Sequence, residues 1–439
     1  MSRLVKAWYP PVRRAIAWFS LLVFALQSGC AALQVKEPET AYQENLGRVA
    51  VIGLHREAAI NFEGFSRGKG EGAAYGAGST FMSCMTGIGQ GGCSGEFCGA
   101  ALILILGICG VAGAIGAVAG AGAAPPAGEA QRSEQDLTAL VQARDIQDTL
   151  SRQVAAFAFA QGETLASPAQ ENVEQARLTS DYRTLAGEGV DTVLEVALTK
   201  AGTRGTGVNA PIQLYMEAHV RLVRTADNSE LFGTDYEYQG GKLKLAEWSA
   251  NQGRALLDGL EEGYAALGSH IYDSIFLLFP FPDRGAHPAG MLAAAFGLAP
   301  IEPATRGQLS GDKLIGSHFE WTTVDSLHPV LSWQAFPRAT DVADAPELAA
   351  RIGKVRYDLV VARERNLAPA GIVYRREGLI TTTHAVQVGL QPDTRYFWTV
   401  RARFELDGRE RVTEWATTDY RALDRVTSPS PWSYRFRTR

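Results

Sequence analysis

The sequence predicts an α+β multi-domain chain: an α/β sheet-and-helix domain carrying a Gly-rich helical hairpin insertion, followed by a β-sandwich. Three observations predict it. Residues 47–278 read in the order strand, insertion, helix, three strands, helix. A charge-free stretch dominated by Gly, Ala, Ile and Leu interrupts that order after the first strand. Short alternating runs with turn signals then fill residues 316–439. At 439 residues, with 46% hydrophobic and 20% charged side chains, the chain has room for two or three folded domains. The formal charge is −5, and the first 29 residues hold four basic side chains and no acid, so the remainder is more acidic still. An acidic body gives no electrostatic footprint for nucleic acid.

The amino terminus reads as an address. Arg3, Lys6, Arg13 and Arg14 precede the apolar run "AIAWFSLLVFAL", and "QSGC" follows it. This is the order of a secretory signal, and its apolar part is too short to cross a ~30 Å hydrocarbon core as a helix. Ser28, Gly29 and Cys30 resemble the lipobox of bacterial lipoproteins, although Gln27 stands where that family has an aliphatic residue. The resemblance implies a signal peptide over 1–29, acylation of the Cys30 thiol and of the new amine, and a tether over 30–46. Ala31 rather than Asp after the cysteine implies an outer-membrane lipoprotein facing the periplasm. The other reading is a secreted protein with a chance cysteine.

"GRVAVIGL" (47–54) is a short buried β-run. The insertion over 68–126 has two arms flanking "QGGCSGEFC". Gly72, Gly76 and Thr80 are spaced by four in the first arm, and Ala112, Gly116 and Gly120 in the second, so each set lies on one helix face. Small residues at that spacing let two helix backbones approach closely. The second arm, residues 100–122, would run about 34 Å as a helix. The pattern resembles the glycine-zipper segments of bacterial envelope proteins. Three readings stand: a hairpin in or on a membrane, a hairpin buried against protein or a second copy, and a loose insertion. Cys84, Cys93 and Cys98 lie close enough for one disulfide, whereas Cys109 reads as a small core or lipid-facing residue.

Residues 133–162 have helical spacing through Leu137, Leu140, Val141, Ile146, Leu150, Val154 and Phe157. "VDTVLEVALTKAG" and "PIQLYMEAHVRLVRT" then alternate, with Ile212, Leu214, Met216, Ala218, Val220 and Leu222 on one face; "ADNS" turns into the return strand "ELFGTDYEYQG". Residues 246–278 form a long amphipathic helix through Leu256, Leu260, Tyr264, Leu267, Ile271 and Ile275. One sheet with helices on one face accounts for these surfaces. The stretch "VDTVLEVAL…YMEAHVRLVRTADNSELFGTDYEY" resembles the α/β domain of the curli secretion channel family, the TolB amino-terminal domain and penicillin-binding-protein activators.

Residues 279–315 are punctuated by Pro and Gly and read as a linker. Beyond them, "VLSWQAF", "KVRYDLVVARE", "GIVYRREGL", "HAVQVG", "RYFWTVRARFEL" and "WSYRFRTR" alternate as strands. "GLQPDTRYFWTVRA" resembles the E–F corner of fibronectin type III domains. The resemblance implies a fibronectin type III-like domain over 316–439, with Tyr396 as the tyrosine-corner residue and Trp333 as the core tryptophan. Residues 337–354 and 409–431 are longer than that family usually has, and would suit a partner contact or mere decoration.

Chemistry is sparse. "GFSRGKG" imitates a P-loop but has Gly70 where Ser or Thr would hold Mg²⁺, and "GGCSGE" lacks the second glycine of a nucleophile elbow. No His pair stands at ligand spacing, His219 reads as solvated, and Glu261 and Glu262 as a wet helix face. Trp333, Trp398, Trp415 and Trp432 offer a carbohydrate platform or core packing. The expectation is therefore a non-enzymatic, lipid-anchored envelope protein with no cofactor and no metal, acting in assembly, anchoring or as an accessory. Its partners would be membrane lipid, through acylated Cys30 and the hairpin, an unknown protein, and further copies of itself; nucleic acid is not among them. The alternatives are an oligomeric outer-membrane pore or export component, and a cell-wall or glycan-binding module.

Overall fold

Strict alternation in one central strand organises the first core. The computed structural model describes residues 46–54, 56–89, 98–279, 297–303, 321–339, 341–343, 345–364, 371–416, 426–427 and 434–439. The expected signal peptide, Cys30, Cys93, Trp432 and all of the tether except Leu46 lie outside the described residues. So do the side chains of Cys84 and Cys98.

The first domain contains β1 (Val49–Gly53), β2 (Ala59–Phe62), α1 (Lys69–Gly89), α2 (Cys98–Ala123), α3 (Ala127–Gln142), α4 (Ile146–Ala160) and α5 (Gln170–Thr179). After a 3-10 turn (Arg183–Glu188) come β3 (Thr192–Arg204), β4 (Ile212–Arg224), β5 (Glu230–Leu243) and α6 (Leu245–Tyr272). In β4 the expected alternation holds: Ile212, Leu214, Met216, Ala218, Val220 and Leu222 are all fully buried. β4 pairs antiparallel with β3 and with β5. β1 and β2 follow one another along the far edge of β3, both parallel to it. Leu256, Leu260, Tyr264, Leu267 and Ile271 of α6 pack on this face, together with Leu137 and Val141 of α3 and Leu150 and Val154 of α4.

Three expectations need correction here. The helix expected over 133–162 is two helices, because the chain turns after Gln142 and Asp145 caps α4 by accepting from the Asp148 amide at 3.3 Å. The helix expected over 246–278 is interrupted near its start, where Asn251, Gln252 and Gly253 take positive φ, and it loosens into a π-type stretch at Asp273–Leu277. Helices also cover both faces of the sheet. Ala50, Ile52, Val193 and Val223 point away from α6 and pack against Val173, Ala176, Tyr182 and Leu185 of α5 and the 3-10 turn. The cause is legible in β1 and β3, whose "VAVI" and "VLEV" runs are apolar on both faces, as parallel-paired buried strands require.

The second core lies between two sheets. One holds β6 (Pro300–Glu302), β8 (Val330–Trp333) and β11 (Thr383–Ala385), in the order β11-β8-β6. The other holds β7 (Thr322–Val324), β9 (Ile352–Ala362), β10 (Ile372–Leu379), β12 (Arg395–Leu406) and β15 (Tyr434–Thr438), in the order β10-β9-β12-β15-β7. β13 (Arg409–Val412) pairs with the end of β12. Trp333, Trp398, Leu359, Val361, Val400 and Phe436 fill the space between the sheets. The expected linker over 279–315 is not all linker: β6 pairs with β8, and Leu298 is buried in this core. The expected boundary at 316 is crossed as well, since β14 (Val426–Thr427) pairs parallel with β5 of the first sheet.

A buried ionic knot ties the two cores. Arg401 of β12 donates to Asp273, at the end of α6, at 2.6 Å and to Asp358 of β9 at 3.1 Å, and its guanidinium lies over Trp415 at 4.5 Å. Arg403 also reaches Asp358, at 3.2 Å. Beside this knot the Phe279 amide donates to the Val412 carbonyl at 2.9 Å, and Arg411 to the Phe276 carbonyl at 2.7 Å. Removing one member of such a buried set strands the others without compensation. Arg401→Met is therefore expected to lower unfolding free energy by about 3–5 kcal/mol, read by urea denaturation. A change below 1 kcal/mol, roughly the value of an exposed pair, would show that the knot is solvated.

Candidate functional site

Glycine makes the insertion what it is. α1 and α2 run antiparallel, with Gly72 against Gly120 and Gly76 against Gly116. A β-carbon on Gly76 would collide with the Gly116 carbonyl, and one on Gly120 with the Gly72 carbonyl. The two backbones are thus in contact where any other residue would hold them apart. Thr80 continues the stripe; its hydroxyl donates to the Gly76 carbonyl at 2.8 Å and sits against Gly116. Ala112 is half-buried one turn before Gly116.

Cys109 lies on the same inward face of α2, three residues before Ala112. It is fully buried, which fits the core reading and not the lipid-facing one, and it is disulfide-bonded, which that reading did not include. The small-residue stripe turns position 109 toward α1, where its sulfur is shielded from solvent.

The root of the hairpin is clamped. Arg67 donates through two nitrogens to both carboxylate oxygens of Glu134 in α3, at 2.9 and 2.8 Å, and its amide donates to Glu71 at 2.6 Å. Phe62, Phe65 and Ala130 are buried beneath that clamp in the first core. The "GFSRGKG" stretch that imitates a P-loop is therefore the anchoring point of the hairpin. Beyond Glu71 neither arm carries a charged residue. Among the described residues, no helix is long and apolar enough to cross a membrane.

A concavity lies at the junction of the two cores, a cavity of about 580 Å³ bordered by Leu46, Val49, Leu165, Tyr272 and Phe276. Arg409, Glu410, Arg411 and Glu163 share its wall, so its charges balance and select no ion by sign. Nearby, His270 is buried with its ring edge-on to Tyr236, centroids 5.3 Å apart. Burial, and secondarily the charge of Arg401, push its pKa down to about 3.

The remaining sequence candidates are scattered. His219 pairs through Nδ1 with Asp235 at 2.7 Å on the outer side of β4, and Glu261 pairs with Arg144 at 3.2 Å. Trp333 and Trp398 are wholly buried, which removes both from any sugar-stacking platform. Tyr396 is buried, and its hydroxyl accepts from the Gln391 amide at 2.8 Å. Among the described residues, no group of three or more His, Cys, Asp or Glu is placed to hold a metal ion. Sequence reasoning missed the Arg67–Glu134 clamp and the Arg401 knot, whose members lie 67 and 128 residues apart.

No protein-family model matches this chain, and no curated protein does. Among solved structures, the crystal structure of lipoprotein GNA1162 from Neisseria meningitidis is similar over 27% of this chain and 83% of that one, with 20% identity and a TM-score of 0.20. A likeness of that size carries no functional argument.

Two outcomes follow from this geometry. Gly76→Leu or Gly116→Leu must separate the arms, so limited proteolysis is expected to cut within residues 69–123 at least tenfold faster. Gly78→Leu, whose side chain meets open space, should leave the cleavage pattern unchanged. Equal sensitivity of all three variants would mean that the arms are not in contact. The second outcome concerns pH. His270 titrates near 6.5 when unfolded but only near 3 when folded. Between those values the unfolded chain binds a proton that the folded chain refuses, so stability falls as pH drops, by up to about 1.4 kcal/mol per unit. His270→Phe should flatten that slope in urea unfolding at pH 4 and 7. An unchanged slope would assign the dependence to other groups.

Proposed function

We propose that this chain is a non-enzymatic, lipid-anchored protein of the bacterial envelope, facing the periplasm from the outer membrane and working by protein–protein contact in assembly or anchoring. One observation carries the reading. The hairpin is clamped at its root and locked arm to arm through glycine, yet it leaves a charge-free outer surface exposed. An element built that rigidly, with an apolar face left exposed among the described residues, suits contact with something outside the chain.

The amino-terminal order of basic, apolar and small residues before Cys30 supports the anchor. Acyl chains at that cysteine would hold the protein on a membrane without help from the folded domains, since two or more chains give stable attachment. Support for a fibronectin type III-like second domain comes from the three-strand sheet facing the larger one and from the Tyr396 corner. Domains of that architecture present loops at the sandwich ends, and the stretch before β9, with its Arg338–Asp341 pair at 2.5 Å and short helix Glu347–Arg351, is the described loop that would suit a partner.

Intact-mass measurement and membrane fractionation of the parent and Cys30→Ser test the anchor. The parent is expected to carry acyl mass and to partition with membranes, and the variant to lose the mass and most of the partition. Identical masses for the two would contradict the proposal.

A further inference from the structure

Cys109 is disulfide-bonded, and the register of the seam points to the cysteine that faces it. In α1 the exposed pairs Ala74–Tyr75, Gly78–Ser79 and Met82–Ser83 recur every four residues, with Gly72, Gly76 and Thr80 turned inward between them. The next inward position of that series is 84, where the sequence has a cysteine. In α2, Gly116 and Gly120 face α1, and Cys109 stands seven residues before Gly116. Seven residues make nearly two turns, so position 109 returns to the same side of the helix. Its complete burial agrees.

Positions 84 and 109 also stand level. Gly76 lies between Gly116 and Gly120, and Gly116 lies between Gly76 and Thr80. Carried eight residues on in α1 and seven back in α2, that register leaves the two positions about 1.5 Å apart along the helix axes. The other cysteines of the insertion fit less well. Cys98 opens α2 itself, eleven residues and roughly 16 Å from Cys109, whereas a disulfide needs Cα atoms within about 7 Å. Five steps separate Cys93 from Cys98, and fully extended they span only about 17 Å. Cys93 would thus reach Cys109 only by running straight back along the face of α2 that α1 covers.

We infer that Cys109 is crosslinked to Cys84, from one arm of the hairpin to the other. Forming the bond removes one hydrogen from each thiol and passes two electrons to an oxidant. A protein disulfide, itself reduced to a dithiol, is the class of oxidant that serves. For that oxidising compartment alone the inference rests on the proposed envelope location. The hairpin is then fixed at both ends of its seam, by the Arg67–Glu134 clamp at the root and by sulfur beyond Thr80.

The test is peptide mapping of the full-length protein from the envelope fraction, alkylated and digested with pepsin without reduction. Tandem mass spectrometry is expected to find the Cys109 peptide joined to the Cys84 peptide, and the pair to vanish after treatment with dithiothreitol. In denaturant without reductant, Cys109 should take up N-ethylmaleimide in Cys84→Ala and stay unlabelled in Cys93→Ala. Cys109 joined to Cys93, Cys98, Cys30 or a cysteine of another chain would overturn the inference. So would a free Cys109 in the parent, or equal labelling of the two variants. Acyl mass at Cys30 is read in the same digest, so the anchor and the crosslink can fail independently.

Discussion

The constraint on which the hairpin depends is the contact of two helix backbones at Gly72, Gly76, Gly116 and Gly120. Glycine is costly in a helix, by about 1 kcal/mol against alanine, so a helical pair rich in it must recover that cost elsewhere. Here the recovery comes from approach. Carbonyls and Cα atoms of facing helices meet directly, and Thr80 adds a hydrogen bond along the seam. Once the seam is spent on backbone contact, the longer side chains are left to face outward. The exposed apolar face of α2 is thus a consequence of the glycine seam rather than a separate feature.

The hairpin would be a poor device if its root were loose. The Arg67–Glu134 clamp and buried Phe62 and Phe65 tie it to the α3 side of the first core. That core is in turn tied to the second by Arg401 between Asp273 and Asp358, and by β14 on the edge of β5. A buried ion pair of this kind adds little net stability relative to apolar packing, but it tolerates only one geometry. The described chain therefore orients its hairpin relative to two cores that are crosslinked to one another by directional contacts.

Much of this was legible in the sequence, for physical reasons that differ by element. The alternation of Ile212 through Leu222 gave away β4, because a period of two has one structural meaning. Gly72, Gly76, Gly116 and Gly120 declared a close helix pair by spacing alone. What escaped were features that depend on distant partners or on local backbone choice. Nothing around Arg401 announces Asp273, and nothing in residues 133–162 outweighs the helical period except the single cap at Asp145. The π-type end of α6 and the strand β6 within a Pro- and Gly-rich stretch are likewise set by tertiary pairing. The burial of Cys109 was one of its two readings, but its disulfide was not, because its apolar neighbours outvoted its position on the glycine face.

Backbone contact between the arms is the claim on which the hairpin, its exposed face and its proposed use all depend. Amide hydrogen exchange across residues 69–123 tests it most directly. The account predicts that α1 and α2 are both strongly protected and lose protection together, since neither Gly-rich helix is stable without the other. Exchange at the rate of an unstructured peptide in either arm, or protection of one arm that survives loss of the other, would contradict it.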